Sequence, residues 1–347
     1  MHFAARGLRA AVPLAGGAAV KADVVAVSTE SRGMGAAEIG VAIRAAARIP
    51  VGRPRMLFKK IDSTLRGQAG VEIAVALEAL GCAAAIVCPA FPGLKRVVRD
   101  GWLSVTGAAD FAAIDIVAYL RGQGLEASVR SAPAELAAAV VEGARAIVLD
   151  AASDADLDEI AAAGLALGGR VLWAGSGGLA AALARTLPGD AARPRGDVAA
   201  GGGVLLALGS DHRVTLRQQA ELLRARAVDL LDAETADPRC VRAALGDGRH
   251  VVLRVPYGRV SAGRLLECVG GAPAGALVLS GGDTASLFCG ALGVERIELI
   301  GEVVPGVPCG ALRGGGFDRM RAATKSGGFG EPDALIQVVD YFTCQKP

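Results

Sequence analysis

The chain has 347 residues, and its 37 Lys and Arg against 35 Asp and Glu give a net charge of +2. This balance gives no electrostatic reason to expect a nucleic-acid partner or an anionic membrane surface. Mean hydropathy is +0.42, yet no apolar run reaches the ~18 uninterrupted residues that a spanning helix needs, so we predict no membrane partner. The length favours about two domains.

Cysteine and histidine give no pattern of a metal site. The seven cysteines are odd in number and form no C-x-x-C pair, and the three histidines lie far apart. Several cysteines fall inside apolar segments, where a cysteine is most often a small buried hydrophobe. We therefore expect a cytoplasmic protein in a reduced compartment, with no metal site formed by its own side chains.

In the first half, short β-branched or Leu-rich runs alternate with Ala-rich helical patterns, which predicts βαβ units and parallel sheets. The N-terminal segment FAARGLRAAVPL predicts the end of a helix and then a strand. The further predicted strands are residues 24–28, 56–60, 84–88, 146–149 and 170–174. The predicted helices are residues 35–47, 68–80, 134–142 and 154–166.

Residues 186–203 interrupt this pattern with a run rich in Pro, Gly and Ala, which is typical of a linker. The alternation then restarts. Predicted strands are residues 204–208, 227–231, 250–254, 276–279 and 296–300, and predicted helices are residues 213–226, 239–245, 261–269, 284–292 and 332–342. We therefore predict an α/β fold with two tandem domains, residues 1–190 and 203–347, largely parallel sheets and an active-site cleft between the domains.

Residues 175–180, GSGGLA, follow a predicted strand, open a predicted helix and match the dinucleotide-binding pattern G-x-G-x-x-A. A dinucleotide site also needs an acidic residue at the end of the next strand, ~20 residues on. That region is the linker, so an NAD-dependent oxidoreductase is a weak alternative. Close packing of a helix against a strand explains these glycines better.

Residues 59–67, KKIDSTLRG, stand at the carboxyl end of a predicted strand, where open parallel sheets bind ligands. Arg66 could grip a carboxylate with its planar fork, and Asp62 could orient a hydroxyl. The alternative is a solvated turn in which Asp62 or Ser63 only caps the following helix.

Two further segments resemble phosphate-binding loops. In residues 278–284, VLSGGDT, a strand ends in two glycines before a helix whose N-terminus would attract phosphate. Residues 324–330, TKSGGFG, combine three glycines with a Lys and a Ser in a donor-rich loop. The alternatives are a plain helix cap and a plain glycine turn. Two such segments in one domain jointly favour nucleotide binding.

Together these segments resemble the four-carbon acid sugar kinases, a family that phosphorylates threonate-, erythronate- and oxo-tetronate-type acids with ATP. Residues 59–67 are similar to the acid-sugar signature of the family. Residues 89–96, PAFPGLKR, are similar to its PAFP-x-x-GR segment, with Lys95 in place of the Gly. Residues 175–180 are similar to its GSAGLA segment.

The second half carries the nucleotide-binding signature of the same family. Gly209 and Ser210 with Thr215 and Gln218 are similar to its GS-x-S-x-x-T-x-x-Q segment, with His212 where the second Ser usually stands. The segments SGGDTA, PGVPCG and TKSGGFG complete that signature.

The resemblance implies an ATP-dependent kinase whose first domain binds the acid sugar and whose second domain binds ATP with Mg²⁺. The implied substrate-binding residues are Lys59, Asp62, Arg66 and Arg96. The implied ATP-binding residues are Ser210, Gly281, Gly282, Asp283, Thr284, Lys325 and Gly327. Asp62 is the candidate general base. A homo-oligomer is a further expectation, and a non-catalytic relative that binds ATP and an acid sugar is the main alternative.

Two departures from the family pattern concern substrate binding. Family members usually begin with a strand that ends in Asp-Asp-x-Thr-Gly-Ala, whereas this sequence starts at the following helix. We therefore expect an N-terminally truncated first domain that lacks an Asp equal to Asp62 as a candidate base. The segment after Gly107 also lacks the usual loop with Asp-Pro. These departures predict little or no kinase activity with ATP binding retained.

Overall fold

The computed structural model describes residues 1–14, 20–49, 52, 54–108, 110–168, 171–188 and 202–343. Its strands are β1 (Ala10–Pro13), β2 (Val24–Val25), β3 (Leu57–Lys60), β4 (Ala84–Cys88), β5 (Arg96–Arg99), β6 (Trp102–Val105), β7 (Ile114–Asp115), β8 (Ala127–Arg130), β9 (Ala146–Leu149), β10 (Val171–Gly175), β11 (Val204–Leu208), β12 (Val228–Asp232), β13 (His250–Arg254), β14 (Ala276–Ser280), β15 (Arg296–Val304), β16 (Val307–Arg313) and β17 (Arg321–Lys325).

Its helices are α1 (His2–Ala5), α2 (Ala36–Ala47), α3 (Ala69–Leu80), α4 (Ile116–Arg121), α5 (Leu136–Val141), α6 (Asp154–Ala166), α7 (Gly177–Thr186), α8 (Arg213–Ala225), α9 (Pro238–Gly246), α10 (Ala262–Val269), α11 (Gly282–Ala291) and α12 (Ala334–Thr343). No helix among the described residues is both long and apolar enough to cross a membrane.

The chain divides into two compact units. The first consists of Ser28–Gly189, and the second combines Phe3–Val27 with Asp190–Pro347. The N-terminal segment thus packs with the second unit, where the predicted boundaries place it in the first. The reason is strand pairing, because β1 is antiparallel to β15. Most of the predicted linker, residues 189–201, lies outside the described residues.

The first unit contains a five-stranded parallel sheet in the order β3-β10-β4-β9-β8. Its three central strands β10, β4 and β9 are completely buried and carry continuous apolar runs. Such runs are typical of parallel strands that are covered on both faces. A three-stranded antiparallel sheet, β5-β6-β7, accompanies it. The prediction missed this small sheet because its short strands mix charged and apolar residues.

The second unit contains a nine-stranded sheet in the order β12-β13-β11-β14-β17-β16-β15-β1-β2. The first five strands are parallel to one another. Along β11, Leu205 and Ala207 join one hydrophobic cluster, and Val204, Leu206 and Leu208 join another. This alternation buries both faces of the sheet under helices. The predicted α/β fold with mostly parallel sheets is confirmed, and the predicted cleft between the domains stays a prediction.

Candidate functional site

The loop that follows β3 is a tight turn held by Asp62. Its Oδ1 accepts hydrogen bonds from the Thr64 backbone nitrogen at 2.9 Å and from Thr64 Oγ1 at 2.6 Å. The buried Leu65 adopts a left-handed conformation with φ of 56°, and Gly67 follows with φ of 96°. The turn therefore has a fixed shape, and it places the side chain of Arg66 beside the carboxylate of Asp62.

Two arginines surround the Asp62 carboxylate. Arg66 Nη2 lies 2.8 Å from Asp62 Oδ2, and Arg32 Nη2 lies 3.4 Å from the same oxygen. The two arginine side chains are 65% and 70% exposed, whereas that of Asp62 is 10% exposed. Both guanidinium groups therefore keep donors free for a ligand anion. The sequence analysis missed Arg32, since no local pattern connects it with a turn thirty residues later.

Asp62 is an ionised acceptor. Burial alone raises the pKa of its carboxyl group, but the hydrogen bonds from Arg66 and Thr64 outweigh burial and hold that pKa far below its usual value. In return, the hydrogen bond to Asp62 raises the pKa of Arg66. A carboxylate that is so strongly acidic is a weak proton acceptor. This environment suits a group that orients Arg66 better than it suits a general base.

Lys59 lies at the same turn, but its charge has a partner. Lys59 Nζ lies 2.6 Å from Oε2 of Glu72 on α3, and both side chains are at most 16% exposed. The other carboxylate oxygen of Glu72 accepts a 2.5 Å hydrogen bond from Ser31 Oγ. Glu72 therefore fixes the Lys59 ammonium and joins the turn to α3 and to the segment that carries Arg32. The sequence analysis did not find Glu72 or Ser31.

Arg96 stands at the start of β5, beyond the PAFP segment. One of its guanidinium nitrogens donates to the carbonyl of Leu94. Within the described part of the chain, no hydrogen bond or ion pair joins Arg96 to Asp62 or to Arg66. The structure thus brings Lys59, Asp62 and Arg66 together at one turn and does not connect Arg96 to them.

The GSGGLA segment, residues 175–180, allows α7 to pack closely against its neighbours. Ser176 Oγ donates to the carbonyl of Ala90 at 2.6 Å and accepts from the Gly178 nitrogen that begins α7. A Cβ atom on Gly178 would lie 2.5 Å from the Ala90 oxygen, and one on Gly175 would lie 2.9 Å from the Cys88 oxygen. The predicted explanation by close packing is confirmed, and the glycines seat α7 against the PAFP segment.

In the second unit, three loops meet at one edge of the sheet. Strands β11, β14 and β17 are adjacent and parallel, so their carboxyl ends lie side by side. The Gly209 nitrogen donates to the Ser280 carbonyl at 3.2 Å, and the Gly281 nitrogen donates to the Lys325 carbonyl at 2.9 Å. The residues predicted to bind ATP lie on these loops, at the end of β17 or in the first turn of α11: Ser210, Gly281, Gly282, Asp283, Thr284, Lys325 and Gly327.

Glycine is required where these loops touch. A Cβ atom on Gly209 would lie 2.0 Å from Thr284 Oγ1, and one on Gly327 would lie 2.0 Å from Ser210 Oγ. Gly281 has φ of 110°, a conformation that other residues rarely adopt. The side chains of Thr284 and Ser210 therefore leave little room for a further side chain at positions 209 and 327.

Helix α11 begins directly at this edge, with Gly282 and Asp283 both exposed. A Cβ atom on Gly282 would meet no atom within 4 Å, so no neighbouring group of the protein requires a glycine there. The first backbone N–H groups of a helix lack partners within the helix and carry its positive dipole end. This helix start can therefore bind an anion that approaches the backbone closely.

Lys325 is part of the same edge but does not face solvent. The residue is 3% exposed, and its ammonium donates to the carbonyl of Ser326 at 2.9 Å and to that of Gly327 at 3.3 Å. Burial lowers the pKa of Lys325 to about 8. The buried Lys325 ammonium therefore binds the glycine loop through its carbonyl groups.

Comparisons with known proteins also divide the chain into two domains. A sequence model for a sugar-binding N-terminal domain matches residues 1–114 and 112–183, and one for a nucleotide-binding C-terminal domain matches residues 258–335. A D-threonate kinase of Bordetella bronchiseptica is 36% identical over 93% of this chain and 87% of its own length. The chain belongs to the four-carbon acid sugar kinase family.

Other relatives in this family of sugar-acid kinases differ in the acid named. A D-erythronate kinase of Heliobacterium modesticaldum is 28% identical over 92% of this chain and 87% of its own length. For the fold, a solved structure from Salmonella typhimurium has a TM-score of 0.79 at 20% identity, covering 98% of this chain and 95% of its own. One from Haemophilus influenzae has a TM-score of 0.74 at 19% identity, covering 98% and 96%.

The two clusters of residues lie in different family domains. The turn with Lys59, Asp62 and Arg66 lies in the match to the sugar-binding domain, and the loops around Gly281 and Gly327 lie in the match to the nucleotide-binding domain. Ser210 precedes that second match, yet the structure places it against Gly327.

Proposed function

We propose that the chain is an ATP-dependent kinase that transfers the γ-phosphoryl group of ATP to a hydroxyl of a four-carbon acid sugar of the threonate, erythronate or 3-oxo-tetronate type. The observation that carries this proposal is the meeting of three glycine-containing loops at the carboxyl ends of β11, β14 and β17. Such an edge of a parallel sheet is where ligands bind, and the helix start at Gly282 suits phosphate.

Arg66 is the proposed ligand of the acid-sugar carboxylate, because its planar fork can donate two parallel hydrogen bonds. Arg32, which contacts the same oxygen of Asp62, reinforces the positive charge. Asp62 orients both guanidinium groups rather than accepting the proton of the sugar hydroxyl. Lys59, held by Glu72, adds positive charge at the base of the turn. Arg96 is a further proposed contact, nearer the PAFP segment.

Ser210, Gly281, Gly282, Thr284 and Gly327 form the proposed binding edge for the ATP phosphates. Lys325 supports this edge from behind the loop. The work of this edge is positioning and charge stabilisation, since phosphoryl transfer needs little covalent chemistry from a protein.

Mg²⁺ is expected to bind with the nucleotide. Across the described residues, no group of three or more His, Cys, Asp or Glu side chains could hold a metal ion. Mg²⁺ usually keeps several waters and takes one or two carboxylates together with substrate phosphates, so this donor set fits. The exposed Asp283 would hold the ion, which would neutralise charge on the phosphates.

The test measures ADP release from Mg-ATP with D-threonate, L-threonate, D-erythronate and a 3-oxo-tetronate, together with a control that lacks any acid sugar. Erythritol, which has four carbons and hydroxyls but no carboxylate, is the matched ligand control. We expect ADP release with at least one acid sugar and none with erythritol. ATP binding without ADP release for every acid sugar would contradict the kinase and support the non-catalytic relative.

A further inference from the structure

Three buried side chains pack against the glycine loop, residues 326–331. Thr215 and Gln218 come from α8, and Lys325 comes from the end of β17. Their exposures are 1%, 0% and 3%. We call these three side chains the carbonyl clamp. None of them is placed to reach a ligand in solvent, and yet each has polar atoms that a buried position must satisfy.

The carbonyl clamp donates to nearly every carbonyl of the loop. Thr215 Oγ1 donates to the Gly327 oxygen at 2.7 Å and itself accepts from Lys325 Nζ at 3.3 Å. The Lys325 ammonium donates to the oxygens of Ser326, Gly327 and Phe329. The Gln218 amide donates, at 2.9 to 3.0 Å, to the oxygens of Phe329, Gly330 and Glu331.

This arrangement fixes the direction of the N–H groups of the loop. In a trans peptide unit the carbonyl and the N–H of the next residue point in opposite directions. Because the carbonyls of residues 326 and 327 point at the clamp, the N–H groups of Gly327 and Gly328 point away from it. Neither N–H has an acceptor among the described residues. Gly327 also lies against Ser210. Both residues follow the carboxyl ends of β11, β14 and β17, which we call the nucleotide edge.

We propose that the carbonyl clamp turns the N–H groups of Gly327 and Gly328 towards the nucleotide phosphates. Thr215, Gln218 and Lys325 are thus positioning residues for nucleotide binding, and Lys325 acts through the loop rather than as a direct ligand of phosphate. This proposal rests on the proposed function, because it takes the ligand at this edge to be a nucleotide. It explains why Lys325 is buried, although a lysine that bound phosphate directly would extend its ammonium to the surface.

The test compares Gln218→Met, Thr215→Val and Lys325→Met in the full chain, with Gln219→Met on the same helix as the matched control. ATP affinity is measured by calorimetry, and the KM values for ATP and for the acid sugar by ADP release. We expect affinity for ATP to fall about tenfold in Lys325→Met and several-fold in the other two, with little change in the KM for the acid sugar. Thr215→Ser, which keeps the hydroxyl, should restore binding.

Hydrogen exchange supplies a readout that does not depend on activity. The amides of residues 326–331 should exchange faster in all three variants and as in the wild type in Gln219→Met. A loss of ATP affinity in Lys325→Met alone would overturn the proposal and make Lys325 a direct ligand. Unchanged ATP affinity in all three, with faster exchange in the loop, would also overturn it while leaving the kinase intact. A wild-type chain that binds no ATP would contradict the proposed function itself.

Discussion

The two candidate binding regions offer different groups to an anion. In the turn after β3, the groups that face a ligand are charged side chains, and Arg66 and Arg32 are 65% and 70% exposed. At the nucleotide edge, the groups that face a ligand are backbone N–H groups, and the nearby Lys325 is 3% exposed. The comparison teaches that a positive charge close to an anion site need not contact the anion.

This difference suits the two proposed ligands. A single planar carboxylate can be held by one guanidinium fork, and the mostly exposed Arg66 keeps donors beyond its bond to Asp62. A polyphosphate presents many oxygens and needs many donors close together, which glycine loops and a helix start provide. Side chains would obstruct that approach, as the crowding around Gly327 illustrates.

The largest expected effect comes from Gly327→Ala. Its Cβ atom would lie 2.0 Å from Ser210 Oγ, so the loop must shift away from the nucleotide edge. We expect kcat/KM for ATP to fall about 10²-fold, the scale of a misplacement of about 1 Å. The control is Gly290→Ala on α11, whose Cβ would meet nothing within 4 Å. Equal kinetics in the two variants would show that the close contact of residue 327 with Ser210 does not shape this region.

Glu72→Gln tests whether Lys59 is structurally paired. The substitution keeps an acceptor for Ser31 but leaves the Lys59 ammonium without a counter-charge in a mostly buried position. We expect the free energy of unfolding in urea to fall by about 2 kcal/mol, less than for a fully buried pair. The exposed Glu78 on the same helix is the control, and Glu78→Gln should change stability little. An undiminished stability in Glu72→Gln would mean that Lys59 is free to bind substrate.

Arg66→Lys tests whether the turn after β3 binds the acid sugar through the planar guanidinium of Arg66. The lysine keeps the charge but loses the planar fork, so we expect the KM for the acid sugar to rise about tenfold. The KM for ATP should change little, because its proposed contacts lie on other strands. Arg121→Lys, at another exposed position of the same unit, is the control. If neither KM changes in Arg66→Lys, the arginine only shapes the turn.

The smallest effect, per unit of pH, concerns the protonation of Lys325. Because burial lowers its pKa to about 8, the unfolded chain holds more protons than the folded chain between about pH 8 and its ordinary value of 10.5. The free energy of unfolding of the wild type should therefore rise with pH in this range, by at most about 1.4 kcal/mol per pH unit. Subtracting the curve of unfolding free energy against pH of Lys325→Met from that of the wild type removes the contribution of the other titrating groups. A flat difference between the two curves would show that the ammonium is not desolvated.

The sequence predicted the framework of both regions because their strands are short apolar runs. Strands β4, β9, β11 and β13 have the predicted bounds. Consecutive parallel strands bring their carboxyl ends to one edge, which places the loops at Ser210 and Gly281 side by side. Strand β17, which positions Gly327, was not predicted, because its sequence RAATK is not an apolar run.

Contacts between distant segments could not be predicted in this way. The partnership of Lys59 with Glu72, the approach of Arg32 to Asp62 and the burial of Lys325 behind its loop depend on how elements pack, for which the sequence has no local signal. The same is true of β1, whose pairing with β15 takes the N-terminal segment into the second unit. Strand β16 was not predicted, because it contains a proline and a glycine.

The most direct test of the proposed kinase follows phosphorus itself. Phosphorus NMR of the chain with Mg-ATP and the acid sugar that best supports ADP release should show the γ-phosphate signal of ATP replaced by a phosphomonoester signal, in equal amount to the ADP formed. That result requires transfer to a sugar hydroxyl. The appearance of inorganic phosphate instead, or no loss of ATP with any acid sugar, would contradict the account.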